Sequence, residues 1–239
     1  MNHQFQSFID DLRSTHRDNL ISVTLYGTAA ASDVVRPGSD YNLLVVLKVI
    51  TPKELRNAHA AIREWHKLGH PIPVYFTAGE IRDAADVFPI EFHQMEKMRR
   101  VLFGADVLSN VQVSDQNLRH QVEYELRSKL MLLRRQYIPA SADAGDLADL
   151  MATSLTTFSS LFRAALLLYG VDAPLGDREA VAMASQYMKL DGKTFEKIFN
   201  IRDNNFNHKI EDKEANELFG DYLKQIENVI DAVDALDNT

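Results

Sequence analysis

The amino-acid sequence predicts an α/β (α+β) protein in which a small mixed sheet is followed by an all-α helical bundle. Two observations lead to this prediction. Over residues 1–110, short apolar and β-branched segments alternate with helical patterns, which is typical of a sheet covered by helices. From residue 111 onward the patterns are helical, and glycine and proline separate them. We therefore expect two domains, 1–110 and 111–239.

The first domain is expected to open with a helix. Phe5, Phe8, Ile9 and Leu12 recur at helical spacing, and Thr51-Pro52 is typical of the start of another helix. The elements predicted after the opening helix are strands over 21–26 and 41–47, a helix over 51–67, a strand over 72–77, a short helix over 79–86, a strand over 87–92 and a helix ending near Gly104.

The second domain is predicted to consist of five helices. Its breaks fall at residues that end helices, namely Pro139, Gly170, Pro174 and Gly192. The predicted helices cover about 115–137, 144–169, 177–190, 193–204 and 212–236.

Composition excludes several classes of function. The chain has 239 residues, a net charge of −8 and no cysteine, so disulfides, thiol catalysis and thiolate metal sites are excluded. The acidic balance makes a nucleic-acid partner unlikely. The longest apolar runs, 43–47 and 164–169, are too short to span a bilayer, and the first residues lack an apolar signal core. We expect a cytoplasmic protein with no membrane partner, for which a homodimer is plausible.

The most informative motif spans the end of one strand and the start of the next. The first strand ends in Gly27-Thr28, and a short loop leads to Ser39 and a second strand that opens with Asp40 and Asn42. Because strand side chains alternate between faces, Asp40 and Asn42 should project from the same face of the sheet. Turn chemistry alone could also account for these residues.

This motif resembles the nucleotidyltransferase superfamily, in which a Gly-Ser turn precedes an Asp-x-Asp strand; aminoglycoside and minimal nucleotidyltransferases are examples. A small mixed sheet followed by a helical bundle is also the arrangement of many members. The resemblance implies transfer of a nucleoside monophosphate to a hydroxyl of a small-molecule or protein acceptor. It also implies ATP or another nucleoside triphosphate as substrate or ligand, and Mg²⁺ as a possible cofactor.

The resemblance also assigns roles to residues. The Gly27 amide and the Thr28 hydroxyl would hydrogen-bond the β- and γ-phosphates, and Ser39 would support the same loop. Asp40 would coordinate the metal and also contact the nucleotide. Asn42 stands where the family has its second Asp, so it would be a weakened or lost metal ligand.

The carboxylate set expected of the family is therefore incomplete. Mg²⁺ prefers charged oxygen ligands, and an amide oxygen is a poorer partner than a carboxylate. The predicted strand over 72–77, where a third carboxylate could lie, contains no acid, and Glu91 is the nearest substitute as a general base. We predict that nucleotide transfer is weakened or lost, while an active enzyme remains an alternative.

Two further alternatives come from outside this motif. Arg202, followed after five residues by His208, resembles the Arg-x(4–6)-His element of HEPN domains, some of which are metal-independent ribonucleases or toxin-type modules. A helix-end cluster with no catalytic role would explain the same residues. The other alternative is a non-catalytic protein-interaction module. Basic residues at Lys97, Arg99 and Arg100 could supply a local positive field or belong to solvated helix faces.

Overall fold

The computed structural model describes residues 3–27, 29–30, 41–203 and 210–238. The chain forms two compact units, Met1–Ser114 and Asp115–Thr239, which we call the sheet unit and the helical unit.

The sheet unit contains four strands and five α-helices in the part of the chain that the structure describes. In chain order they are α1 (His3–His16), β1 (Leu20–Tyr26), β2 (Asn42–Leu47), α2 (Pro52–Asn57), α3 (His59–Lys67), β3 (Val74–Thr77), α4 (Ala78–Ala84), α5 (Pro89–Lys97) and β4 (Arg99–Gly104).

The four strands form one mixed sheet in the order β3-β2-β1-β4. Strand β1 pairs antiparallel with both β2 and β4, whereas β2 pairs parallel with β3. A parallel pair needs a crossover, which α2 and α3 provide. The predicted fold class, a small mixed sheet followed by helices, is confirmed.

One face of the sheet is apolar. Val23 and Leu25 of β1 and Val45 of β2 are fully buried in a cluster that includes residues of α1 and α3. Trp65 of α3 closes this cluster; it is 2% exposed, and its indole N–H donates to the Pro71 carbonyl at 3.0 Å. We call this the apolar face.

The opposite face carries polar side chains on β1. Ser22 and Thr24 are buried, and their hydroxyl oxygens are 3.4 Å apart. Tyr26 follows on the same face, beside a second cluster that contains Phe92 and Met95 of α5. We call this the polar face.

Two predicted elements of the sheet unit are wrong. Residues 87–92 do not form the fourth strand; they lead into α5, with Pro89 in its first turn and Ile90, Phe92 and Met95 buried. The fourth strand is instead Arg99–Gly104, where a helix was expected. Its pairing with β1 decides the conformation, because a strand partner distant in sequence overrides local helix preference. The predicted helix over 51–67 is also divided into α2 and α3 at Ala58.

The helical unit contains five α-helices in its described residues, close to the predicted positions. They are α6 (Asp115–Ala140), α7 (Ala144–Leu167), α8 (Asp177–Met188), α9 (Gly192–Asp203) and α10 (Asp212–Asp234). Ion pairs between Arg163 and Asp177 and between Arg178 and Glu196 join α7 to α8 and α8 to α9.

Helix α7 is the central helix of this unit and packs against the other four. By length and composition alone it could cross a membrane, and it is the one such helix among the described residues. However, 56% of its apolar window is buried inside the structure. Packing in the core therefore accounts for its apolar character.

Candidate nucleotide site at the Gly27 end of the sheet

Gly27 lies directly after β1 and adopts a conformation that favours glycine. Its φ is +81°, in the left-handed region that residues with a Cβ rarely occupy. Its amide N–H donates to the Met98 carbonyl at 2.9 Å. The amide expected to bind phosphate is therefore already bonded within the protein. A ligand can still approach the backbone of Gly27 closely, because glycine has no side chain.

Asn42 opens β2 beside Gly27. It pairs in register with Tyr26, so both side chains lie on the polar face. A Cβ added to Gly27 would lie 3.6 Å from the Asn42 amide nitrogen, which shows how near the two residues are. Tyr41, the preceding residue, is buried on the apolar face against Phe5. The predicted alternation of side chains at this point of the chain is therefore observed for Tyr41 and Asn42.

Glu91 lies in the first turn of α5, the helix whose residues Phe92 and Met95 pack in the cluster beside Tyr26. Burial raises the pKa of the Tyr26 hydroxyl above its ordinary value, and the negative charge of Glu91 raises that pKa further. The charge of Glu91 on α5 therefore acts on Tyr26, which is the register partner of Asn42. Gly27 and Asn42, which are distant in sequence, are brought together beside Tyr26.

Three of the predicted site residues lie outside the described residues. These are Thr28, Ser39 and Asp40, so their roles remain predictions. Tyr26 was not predicted as a site residue. Its position directly before Gly27 on the face shared with Asn42 is the signal that could have identified it.

The described donors near Gly27 do not by themselves suit a divalent cation. Asn42 supplies a neutral amide oxygen, and Glu91 supplies a carboxylate from a different element. Within the described ranges, no group of three or more His, Asp or Glu side chains is placed to hold a metal ion. Since Mg²⁺ favours charged oxygen ligands, a working metal site would require Asp40.

The basic residues near this edge do not converge on the site. Arg99 is the register partner of Tyr26, but its guanidinium pairs with Asp106 at 3.0 Å. Arg100 pairs in register with Leu25 and so projects from the apolar face. Arg99 and Arg100 therefore project from opposite faces of the sheet, and Asp106 neutralises the charge of Arg99. The positive field proposed for these residues is weakened for both reasons.

Arg202, in the helical unit, has a structural environment. Its guanidinium donates to Asp177 at 2.9 Å and to Asp203 at 3.5 Å, and it lies 4.9 Å from the centre of the Phe199 ring. His208 lies outside the described residues. The ribonuclease alternative therefore stays a prediction, and the contacts of Arg202 are those of a residue that joins α8 and α9.

Comparison with known proteins adds evidence on the fold. No family model matches the sequence, and a search of curated proteins finds no match. Among solved structures, the chain is similar to spectinomycin adenyltransferase AAD(9) from Enterococcus faecialis, which was determined with ATP and spectinomycin. The TM-score is 0.58 at 16% identity, and the alignment covers 97% of this chain and 98% of that one. Along almost its whole length, the chain therefore shares the fold of that adenyltransferase.

Proposed function

We propose that this protein binds a nucleoside triphosphate at the Gly27 end of β1 and β2, and that its nucleotidyltransferase activity is weakened or lost. The observation that supports nucleotide binding is the left-handed glycine beside Asn42, in the fold of a protein that was solved with ATP. A backbone without a side chain at this point allows phosphate oxygens to approach closely.

The weakened activity follows from the charge at Asn42. A carboxylate in its place would add one negative charge where the family holds its metal, and the amide does not. Loss of that charge lowers the affinity for Mg²⁺ and thus for a metal-bound triphosphate. Weaker Mg²⁺ binding would also reduce the positive charge that the metal would supply to stabilise the transition state.

Residual transfer, if it occurs, would use a hydroxyl on a small molecule or a protein as acceptor. Glu91 is the carboxylate we propose as proton acceptor, because it lies on α5, which packs against the polar face, and its charge acts on the Tyr26 hydroxyl. An acidic protein without cysteine fits a cytoplasmic location.

The experiment is calorimetric titration of ATP and GTP, with and without Mg²⁺, into the native protein and Asn42→Asp. We expect Asn42→Asp to bind in the presence of Mg²⁺ at least about 10-fold more tightly than the native protein, which corresponds to about 1.4 kcal/mol. The matched control is Asn57→Asp, which adds the same charge on α2, a helix that contacts α1 and α3. The control should bind like the native protein.

The alternatives give different results. Equal Mg²⁺-dependent binding by the native protein and Asn42→Asp would show that the amide does not limit the metal site, and pyrophosphate release would then be measured to test for an active enzyme. If neither protein binds either nucleotide, the nucleotide proposal is wrong. A non-catalytic interaction module would then explain the chain better.

A further inference from the structure

A groove of about 790 Å³ lies at the end of the sheet opposite to Gly27. Leu20 and Ile21, the first residues of β1, line it together with Phe103 of β4. Strand β1 runs for seven residues from Leu20 to Tyr26, so about 20 Å separate this groove from the candidate nucleotide site. The groove is a separate feature of the sheet unit, and the function proposed above does not use it.

The groove is lined by more cations than carboxylates, although the chain as a whole has a net charge of −8. Its charged lining consists of Arg13, Arg17, Lys48, Asp10 and Asp18. Asp10 pairs with Arg13 at 3.6 Å. The side chains of Arg17 and Lys48, by contrast, make no ion pair or hydrogen bond with any residue in the described ranges. Two cations are thus available to an anion in the groove.

Hydrogen bonds hold the backbone of the two available cations together. The side-chain amide of Asn19 donates to the Val49 carbonyl at 3.0 Å, and its oxygen accepts from the Val49 N–H at 3.0 Å. The Asn19 carbonyl accepts from the Lys48 N–H at 2.9 Å. These three bonds join the turn that carries Arg17 to the end of β2, which Lys48 follows. A fixed backbone reduces the entropy that the two side chains lose when they bind a common anion.

Arg17 has a backbone conformation that is unfavourable for arginine. Its φ is +47°, in the left-handed region, and it directly follows α1. Glycine or asparagine is the usual residue at such a position after a helix, because a Cβ disfavours this conformation. Residues in unfavourable backbone conformations cluster at ligand sites. The local fold therefore does not explain an arginine here, whereas binding of an anion in the groove would explain it.

We propose that this groove binds a phosphorylated sugar. Arg17 and Lys48 would bind the phosphate, because guanidinium and ammonium groups donate charge-assisted hydrogen bonds to phosphate oxygens. Asp18, which makes no ion pair with the described residues, would accept hydrogen bonds from the sugar hydroxyls. Ile21 and Phe103 supply apolar surface against which the sugar carbons can pack. This proposal is independent of the nucleotide proposal.

NMR titration of the full chain with ribose 5-phosphate tests the proposal. We expect saturable shifts of the backbone amides around the groove, with a Kd of about 1 mM or lower, and no comparable shift at Gly27. Lys48→Gln should weaken binding at least about 10-fold, because it removes a charge-assisted hydrogen bond. The matched control is Lys53→Gln, which removes the same charge from an exposed position of α2 outside the groove. The control should bind like the native protein.

Arg17→Asn separates a binding role of this side chain from a structural one. Asparagine tolerates the left-handed conformation better than arginine, so the variant should be at least as stable as the native protein in urea denaturation. It should nevertheless bind ribose 5-phosphate at least about 10-fold more weakly. A variant that loses stability and binds like the native protein would overturn the proposal.

Inorganic phosphate and ribose test the two parts of the proposed ligand. The native protein should bind ribose 5-phosphate more tightly than inorganic phosphate, and Asp18→Ala should reduce this preference because it removes the hydroxyl acceptor. Ribose without phosphate should give no saturable shifts. Equal affinities of the native protein for ribose 5-phosphate and inorganic phosphate would overturn the assignment of a sugar ligand. No saturable binding of ribose 5-phosphate, or equal weakening by Lys48→Gln and Lys53→Gln, would overturn the whole proposal.

Discussion

The two faces of the sheet are built from the same strands but have different chemistry. On the apolar face, Val23 and Leu25 of β1 pack with Trp65 in a cluster of aliphatic and aromatic side chains. On the polar face, the same strand places Ser22, Thr24 and Tyr26. Leu44 and Val46 of β2 are buried on the polar face, so both faces contribute to the core. The faces differ in the hydroxyl groups that β1 buries on the polar face, and that face ends in the candidate site.

The largest expected effect is on the apolar face. Trp65→Ala should lower the free energy of unfolding by about 3–5 kcal/mol, because it removes a buried indole and leaves a cavity. It also removes the hydrogen bond to the Pro71 carbonyl. Urea denaturation followed by circular dichroism measures the change, since Trp65 is the single tryptophan and its fluorescence is lost. A loss below about 1 kcal/mol would contradict the assignment of this face to the core.

A smaller effect is expected from His16, at the end of α1. His16 is buried in edge-on contact with Tyr75, and neither ring nitrogen has a hydrogen-bond partner among the described residues. Burial lowers the pKa of His16 from its ordinary value of 6.5, and the nearby charge of Glu54 opposes this shift less strongly. The unfolded chain therefore takes up the proton first as pH falls.

The sign of the resulting pH dependence is determined by that lowered pKa. The contribution of neutral His16 is fully present above pH 6.5 and is lost as pH falls through 6.5 towards the pKa of the folded state. The loss has a limiting slope of about 1.4 kcal/mol per pH unit. His16→Phe should flatten the stability profile between pH 7.5 and pH 5.5, measured by urea denaturation. His59→Phe, at an exposed histidine of α3, should leave the slope unchanged.

A third prediction concerns Gly27, where the polar face ends. Gly27→Ala should lower the free energy of unfolding by about 1 kcal/mol, because alanine disfavours a positive φ. Gly69→Ala is the matched control, since Gly69 has a φ of +88° and open space around it. Both variants should lose similar stability, but only Gly27→Ala should weaken ATP binding in calorimetry. Equal nucleotide binding by the two variants would place the site elsewhere.

The smallest expected effect is electrostatic. Glu91→Gln should lower the pKa of Tyr26, because it removes the negative charge that opposes ionisation of the hydroxyl. The pKa should stay above its ordinary value, since burial is the larger cause. NMR titration of labelled tyrosine, with Tyr26→Phe to assign the signal, measures the change. An unchanged pKa would mean that Glu91 does not act at this end of the sheet.

Local patterns in the sequence were sufficient to predict most of the fold. The alternation in β1 and β2 and the 3.6-residue periodicity of the C-terminal half are properties of each segment alone. They failed at α5 and β4. Ile90 and Phe92 suit a strand locally, yet both are buried in a helix, and Phe92 packs with Met95 against the polar face. Arg99 and Arg100 follow a helical segment, yet pairing with β1 makes them a strand.

The candidate site was predictable only in part. Gly27 and Asn42 were assigned to one site only through the family resemblance of their motif, and the antiparallel pairing of β1 and β2 places them side by side. The effect of the Glu91 charge on Tyr26 depends on how α5 packs over the sheet, which local pattern does not specify. The bond from the Gly27 amide to Met98 was also unpredictable, because its acceptor lies about seventy residues away in sequence.

The central place of β1 in the sheet has a consequence for how the chain folds. Strand β1 is the first strand in the sequence, whereas its partner β4 begins about seventy residues after β1 ends. Until that segment is available, one edge of β1 has no strand to bond with, and closing the intervening loop costs entropy before any contact is gained. Completion of the sheet should therefore be the slow step in folding of this unit. Strand β1 is synthesised early, so one of its edges can pair with a wrong segment until Arg99–Gly104 has been synthesised.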